Sequence, residues 1–232
     1  MGMLDLYGIK EVADVVFWDT ETGNPVLYLD TLKVSTIEET ADQTEARGGK
    51  GNPPLIIWDY GKEITLTLED ALFSMKSLNI MHNSKGAVDA NVSSVLRGGK
   101  FTTDANGNAP AAIASLSATY YSEGGVETSV LVANTTYLYK YTQAVTTGSG
   151  ETISVTSEDF PGTYRITGDT YARSQKTGKD EFFQFEVPLA KINPEQTITM
   201  QADGDPSTFS MTVRVMRPDD GIMMRLTKYP MA

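Results

Sequence analysis

Apolar and polar side chains alternate with a period of two along much of the chain, which is the pattern of strands with one buried face. Residues 64–68, with the sequence ITLTL, show this alternation most clearly. Other strand-like segments are residues 12–18, 26–29, 32–37, 164–172 and 181–187. Turn-forming residues at 19–25 and a polar tip at 173–180 separate them. The pattern therefore predicts antiparallel strands joined by hairpins.

The middle and the C-terminal part of the chain continue this pattern. Further strand-like segments are residues 92–101, 115–121, 126–133, 136–141, 197–202 and 208–216, with one more edge strand at 221–231. Tyr137, Tyr139 and Tyr141 alternate with other residues, which places three phenols on one strand face and Leu138 on the other. This arrangement is typical of a partly buried sheet face.

One short helix is predicted at about residues 69–79. Apolar residues recur there at spacings of four, three and three: Leu68, Leu72, Met75 and Leu78. Glu69 and Asp70 fall in the first turn, where the helix dipole favours negative charge. The predicted fold class is mainly β, an antiparallel β-sandwich or barrel with one short flanking α-helix and long loops.

A polar, glycine-rich segment at residues 38–52 is predicted as a loop, because it has no strong period and is long for a passive connection. Such loops are usually functional or mobile. Its last six residues are Arg47, Gly48, Gly49, Lys50, Gly51 and Asn52. Two prolines, an apolar run at residues 55–58 and a turn-like segment at 59–61 follow.

Composition narrows the possible functions. The 232 residues include no cysteine and one histidine, His82, so thiolate sites, disulfides and multi-histidine zinc sites are excluded. The net charge of −11 argues against a surface that grips DNA, but it permits a surface past which DNA slides. We expect no signal peptide and no membrane span. A single domain over residues 1–232 is predicted, with an insertion or elaboration at about 83–162.

No motif indicates catalysis. The acidic pairs are typical of solvated faces, caps or turns, and residues 203–205 are interpreted as a hairpin turn rather than a calcium loop. The glycine-rich segment lacks the GxxxxGK[ST] spacing and precedes a strand, so it is not a phosphate cradle. The prediction is a non-enzymatic protein without catalytic residues, metal or cofactor.

Two segments carry a resemblance to a known family. Residues 45–78, which include ITLTLEDALFS, and residues 182–218, with the turn at 202–209, together resemble bacteriophage tail tube proteins. The resemblance implies a structural virion protein whose copies form stacked hexameric rings around a DNA-conducting lumen. It also implies self-association, contact with sheath, baseplate or terminator proteins, synthesis in the host cytoplasm and no membrane. Residues 83–162 have no counterpart in the smallest tube proteins.

Within this interpretation the glycine-rich segment is the candidate contact loop between subunits or rings. Arg47, Lys50 and Asn52 are predicted to touch the neighbour. Gly48, Gly49 and Gly51 are predicted to supply backbone freedom.

Three alternatives remain open. The same fold could serve another tail component, such as a terminator, a baseplate hub or a tube initiator. A β-sandwich that binds a carbohydrate or a host receptor would use its tyrosines, Tyr120, Tyr121, Tyr137, Tyr139 and Tyr141. An enzyme would have to use His82.

Overall fold

The described part of the chain consists of antiparallel sheets and two short helices, which confirms the mainly β fold class. A computed structural model describes residues 6–82, 88–195, 198 and 208–230. The chain divides into two compact units: one is Met1–Ala87 together with Ser154–Ala232, and the other is Val88–Ile153. No helix among the described residues is long and apolar enough to cross a membrane.

The elements follow one another in this order: β1 Tyr7–Ile9, β2 Asp14–Asp19, β3 Pro25–Leu29, β4 Leu32–Arg47, β5 Pro54–Asp70, α1 Met75–His82, β6 Ser94–Thr102, α2 Ala111–Ala114, β7 Thr119–Ser122, β8 Glu127–Thr128, β9 Thr136–Ala144, β10 Thr163–Ser174, β11 Asp180–Ile192, β12 Phe209–Val215 and β13 Arg225–Pro230. The strand predicted at residues 126–133 is reduced to the two residues of β8. The predicted strand at 197–202 and turn at 203–206 lie outside the described residues, except Ile198.

The first unit is a nine-stranded sheet in which β3, β2, β10, β11, β12, β5 and β4 follow one another. β1 pairs with β10 and β13 with β11. The outermost strands of this path, β3 and β4, are consecutive in the chain and are joined by only Asp30 and Thr31. The sheet therefore curls back on itself, but among the described residues no ladder joins β3 to β4, and no barrel is closed.

The core of this unit lies on the inner face of the curled sheet. The largest fully buried side chains come from β2, β5, β10, β11 and β12: Phe17, Leu66, Leu68, Ile166, Ile192, Val15, Val187 and Val213. In β5 the residues from Ile64 to Asp70 alternate between buried and half-buried, as the ITLTL pattern predicts. Ile80 and Met81 of α1 are buried in the same core.

The helix begins later than the sequence predicts. Glu69 and Asp70 belong to β5, because both pair with β4 on one side and with β12 on the other. The helix starts after Ser74, whose Oγ accepts a hydrogen bond from Ser77 N at 3.0 Å while Ser74 N donates to Ser77 Oγ at 2.9 Å. This reciprocal pair satisfies two amide groups at the helix start. Leu72, predicted on the buried face, lies before the helix and is exposed.

The second unit is a four-stranded antiparallel sheet in the order β6, β9, β7, β8. Its apolar centre is aromatic: Phe101 and Tyr137 are buried, and the ring of Phe101 also lies near Tyr120 and Tyr139. The tyrosine face predicted for residues 136–141 is thus half-buried at Tyr139 and Tyr141, while Leu138 on the opposite face is exposed.

Candidate functional site

The most distinctive feature of the first unit is the long hairpin formed by β4 and β5. Every residue of β5 from Pro54 to Glu63 is exposed, and burial begins abruptly at Ile64. In β4 the residues after Ile37 are exposed too, apart from half-buried Ala46. At about 3.3 Å per residue, the ten exposed residues of β5 span about 30 Å. We refer to residues 38–63 as the hairpin arm.

The arm corrects the prediction of a loop at residues 38–52. Residues up to Arg47 are strand, and they pair antiparallel with β5 from Glu38 opposite Thr65 to Arg47 opposite Pro54, with two shifts of register on the way. The sequence of this segment predicts a loop because both of its faces are exposed, and such a strand has no apolar alternation. Only residues 48–53 form a turn at the tip.

The predicted turn at residues 59–61 is an irregularity inside β5. The register shifts between the pairs Thr40–Glu63 and Asp42–Tyr60, and Gly61 adopts a φ of +63° there. A left-handed backbone at this point favours glycine over residues with a side chain. The strand therefore continues through a sequence that is typical of a turn.

The tip contains the six residues predicted as the contact loop. Gly49, Gly51 and Asn52 have φ values of +83°, +86° and +50°. Two backbone bonds close the turn, from Gly48 N to Pro53 O and from Asn52 N to Gly49 O, both at 3.2 Å. Gly49 and Gly51 thus supply the backbone conformation that the tip requires, whereas Gly48 lies outside the left-handed region.

The charged residues at the tip differ in their partners. The Arg47 side chain forms an ion pair with Glu45 on the same strand, with Nη2 and Oε2 2.5 Å apart. Lys50 lies in the turn and is exposed. The structure therefore brings all six predicted residues together at the end of the arm, about 30 Å from the buried part of β5 by strand length.

The arm has one apolar face, which sequence reasoning missed. Side chains of directly paired residues lie on the same face of a two-stranded ribbon. Ile56, Trp58 and Tyr60 therefore share a face, opposite Ala46, Thr44 and Asp42 respectively. Their exposed fractions are 52%, 50% and 56%. We call these three side chains the apolar stripe. The sequence signal for it is the spacing of two between Ile56, Trp58 and Tyr60.

The opposite face of the arm is more polar. Gln43 pairs with Asp59, and its Nε2 donates to the Asp59 carboxylate over 2.8 Å. Ile57 pairs with Glu45 on this face, and Leu55, which is 65% exposed, precedes it by two residues in β5. The arm is therefore amphipathic, although neither face is covered within the described chain.

Ion pairs stabilise the base of the arm. Lys62 pairs with Glu39 over 2.6 Å, and Arg214 of β12 pairs with Glu63 over 2.7 Å. All four side chains are largely exposed, so each pair contributes at most about 1 kcal/mol. The orientation of the arm depends mainly on the sheet pairing of residues 65–70 with both β4 and β12.

The other residues considered for catalysis or metal binding are His82 and the acidic side chains. His82 is the last residue of α1 and is half-buried. The described residues contain no group of three acidic or histidine side chains placed to hold a metal ion. Hydrogen bonds from the Thr22 amide and hydroxyl lower the pKa of Asp19, but these bonds belong to the turn between β2 and β3. Residues 203–205 lie outside the described residues.

A known protein family matches most of the chain. The family model of the YomU/Tube protein family matches residues 7–226. This span runs from β1 into β13 and includes the hairpin arm and the whole second unit. No curated protein matches the chain.

Proposed function

Because the chain belongs to the YomU/Tube protein family and is a structural protein of the phage tail tube, we propose that its copies assemble into stacked hexameric rings around a lumen that conducts DNA. The family confirms the resemblance stated from the sequence and implies a location in the virion tail and a structural rather than enzymatic role. The rings, their order and the passage of DNA are the proposal.

The observation that carries the proposal is the apolar stripe on the hairpin arm. A two-stranded ribbon is marginally stable in water, and exposure of three large apolar side chains to water is also unfavourable. A partner that packs on Ile56, Trp58 and Tyr60 would stabilise the ribbon and remove these side chains from water. In a tube built from one kind of subunit, the partner is a second copy of this chain.

The geometry of the arm suits contact between rings. A head-to-tail contact, in which an arm meets a different surface of the next copy, generates rings or continuing stacks. An arm of about 30 Å reaches well beyond the sheet of its own subunit. We propose that the stripe packs on a copy in the adjacent ring and that Arg47, Lys50 and Asn52 at the tip complete this contact.

The outer edges of β3 and β4 provide a second means of association within a ring. Among the described residues each of these strands is paired on one side only. Unpaired strand edges can accept a strand from another chain. We propose that such pairing between neighbours joins the subunits of one ring.

The charge of the chain supports the passage of DNA. A net charge of −11 repels the phosphate backbone and leaves few cations to release its counterions. DNA would therefore move through the lumen without being held. Sheath, baseplate or terminator proteins are the further partners that we propose, with synthesis in the host cytoplasm before assembly.

Sedimentation velocity over a concentration series, followed by negative-stain imaging, tests the proposal. The expected result is a concentration-dependent appearance of six-fold rings and then of tubes of indefinite length. A protein that stays monomeric at high concentration, even when seeded with preformed tubes, would contradict it. Single rings that never stack would instead favour a terminator or another tail component.

A further inference from the structure

One face of the sheet in the second unit carries two tyrosine rings that lie nearly parallel to each other. The rings of Tyr139 and Tyr141 lie within 18° of parallel, with their centres 6.2 Å apart. The Tyr139 ring lies across the neighbouring strand over Gly99, where an added Cβ would be 3.0 Å from ring atoms. The glycine therefore allows the ring to rest on the sheet. We call the two rings the tyrosine platform.

The platform is held in place from one side. Buried Phe101 lies 6.0 Å from the Tyr139 ring centre, in an edge-to-face arrangement, and 5.9 Å from Tyr137. The Tyr137 hydroxyl accepts a hydrogen bond from the amide of Val132 at 2.8 Å, which fixes this cluster. A surface held rigid in this way loses little conformational entropy when a ligand binds.

The polar side chains of Arg97 and Gln143 lie next to the Tyr141 ring of the platform. Arg97 pairs directly with Tyr141 across the sheet, so both side chains lie on the same face. Arg97 Nη1 donates to Gln143 Oε1 at 2.9 Å, and the Tyr141 hydroxyl donates to the same oxygen at 3.3 Å. A guanidinium has five N–H donors, so Arg97 retains donors for a ligand. The face thus combines aromatic surface with oriented hydrogen-bonding groups.

The charge of the unit favours a neutral ligand over a nucleic acid. Residues 88–153 contain five acidic side chains, Asp89, Asp104, Glu123, Glu127 and Glu151. The three basic side chains are Arg97, Lys100 and Lys140, so the formal charge is three minus five, or −2. Binding of a polyanion depends on an excess of cations, which this unit lacks.

We propose that the tyrosine platform binds a neutral oligosaccharide. The apolar C–H face of a pyranose ring packs on an aromatic ring, and its hydroxyl groups exchange hydrogen bonds with polar side chains. Tyr139 and Tyr141 provide the stacking surface for adjacent sugar units, while Arg97 and Gln143 bind their hydroxyls. This site uses no residue of the hairpin arm and does not depend on the proposed assembly.

Titration of the full-length chain with maltohexaose, cellohexaose and chitohexaose, followed by calorimetry and ligand-observed NMR, tests the site. At least one of the three should bind with a dissociation constant of about 1 mM or below. Tyr141→Ala should weaken this binding at least about fivefold, because it removes half of the stacking surface. Arg97→Gln should weaken it by a smaller factor.

Tyr121→Ala is the matched control, because Tyr121 pairs with Leu138 and lies on the opposite face of the same sheet. It should leave binding unchanged, and the thermal unfolding of each variant reports whether the fold is kept. The proposal is overturned if none of the three sugars binds, or if Tyr121→Ala and Tyr141→Ala weaken binding equally. Binding of single-stranded DNA or heparin in place of the neutral sugars would also overturn it.

Discussion

Ile56 and Ile57 are consecutive residues of β5 whose side chains lie on opposite faces of the hairpin arm, with nearly equal exposed fractions of 52% and 51%. Ile56 belongs to the apolar stripe, whereas Ile57 lies opposite Glu45 on the more polar face. The same substitution at the two positions therefore isolates the contribution of the face from that of the residue type. The monomer should fold normally in both variants, because neither side chain reaches the core.

We predict that Ile56→Ser raises the critical concentration for tube assembly about tenfold, because a buried isoleucine contributes about 1.5–3 kcal/mol at an interface. Ile57→Ser should change it less than about twofold if its face stays exposed. Sedimentation measures both values. Equal effects of the two substitutions would show that the stripe is not the contact face, and no effect of either would exclude the arm from assembly.

At the tip of the arm, the double variant Arg47→Ala and Lys50→Ala is predicted to slow assembly and to remove much of its salt dependence. Exposed cations contribute mainly through long-range attraction, which salt screens. The measurement is the assembly rate by light scattering at several ionic strengths.

The matched control removes two cations, Lys176 and Lys179, from the tip between β10 and β11. It changes the net charge by the same amount at a different hairpin. If both double variants slow assembly equally, overall charge rather than the arm tip controls the rate.

A third prediction concerns pH. Arg173 donates two hydrogen bonds to Asp180, from Nε to Oδ1 and from Nη2 to Oδ2, each 2.7 Å long, and these bonds lower the pKa of Asp180. The pKa of this carboxyl is lower in the folded state than in the unfolded state, where it is about 3.9, so the ion pair stabilises the fold at pH values above about 3.9. This stabilisation is lost as the pH falls through the folded-state pKa. Arg173→Gln should therefore raise the pKa of Asp180 in an NMR titration.

Asp19 is an internal control for this titration. Its pKa is lowered by hydrogen bonds from Thr22, not by an arginine. Arg173→Gln should leave it unchanged. An unchanged pKa at Asp180 in the same variant would show that the ion pair does not form in solution.

The sequence predicts strands well wherever one face packs on the core. Residues 64–68, 164–172 and 181–187 are predicted as strands and lie in β5, β10 and β11, because burial of alternate side chains leaves a period of two in the sequence. A helix is predicted as well, but it begins later than the sequence predicts, because pairing with two neighbouring strands keeps Glu69 and Asp70 in β5.

The hairpin arm could not be predicted in the same way. Its strands are exposed on both faces, so burial imposes no alternation of apolar and polar residues on the sequence. Gly61 is typical of a turn in the sequence, but it lies at an irregularity within the strand. The glycine-rich tip was recognised from its composition. The apolar stripe does not stand out in the sequence, because residues 55–58 are an uninterrupted apolar run and the turn-like segment at 59–61 follows it.

The last prediction concerns Gly168 and Phe185, which are paired across β10 and β11. An added Cβ at Gly168 would lie 2.2 Å from the ring of Phe185, which is buried with 4% of its surface exposed. Gly168→Ala should therefore lower the free energy of unfolding by about 2 kcal/mol, because the ring must leave its position in a packed core. Chemical denaturation measures the change.

Two further variants separate this clash from a general effect of alanine. Gly8→Ala in β1 meets no atom within 4 Å, so it should change the stability by less than about 0.5 kcal/mol. Phe185→Leu destabilises the protein by itself, but its smaller side chain leaves room for the Gly168→Ala methyl group. The double variant should therefore be more stable than the sum of the two single changes predicts. Strict additivity would mean that the ring of Phe185 does not lie over Gly168.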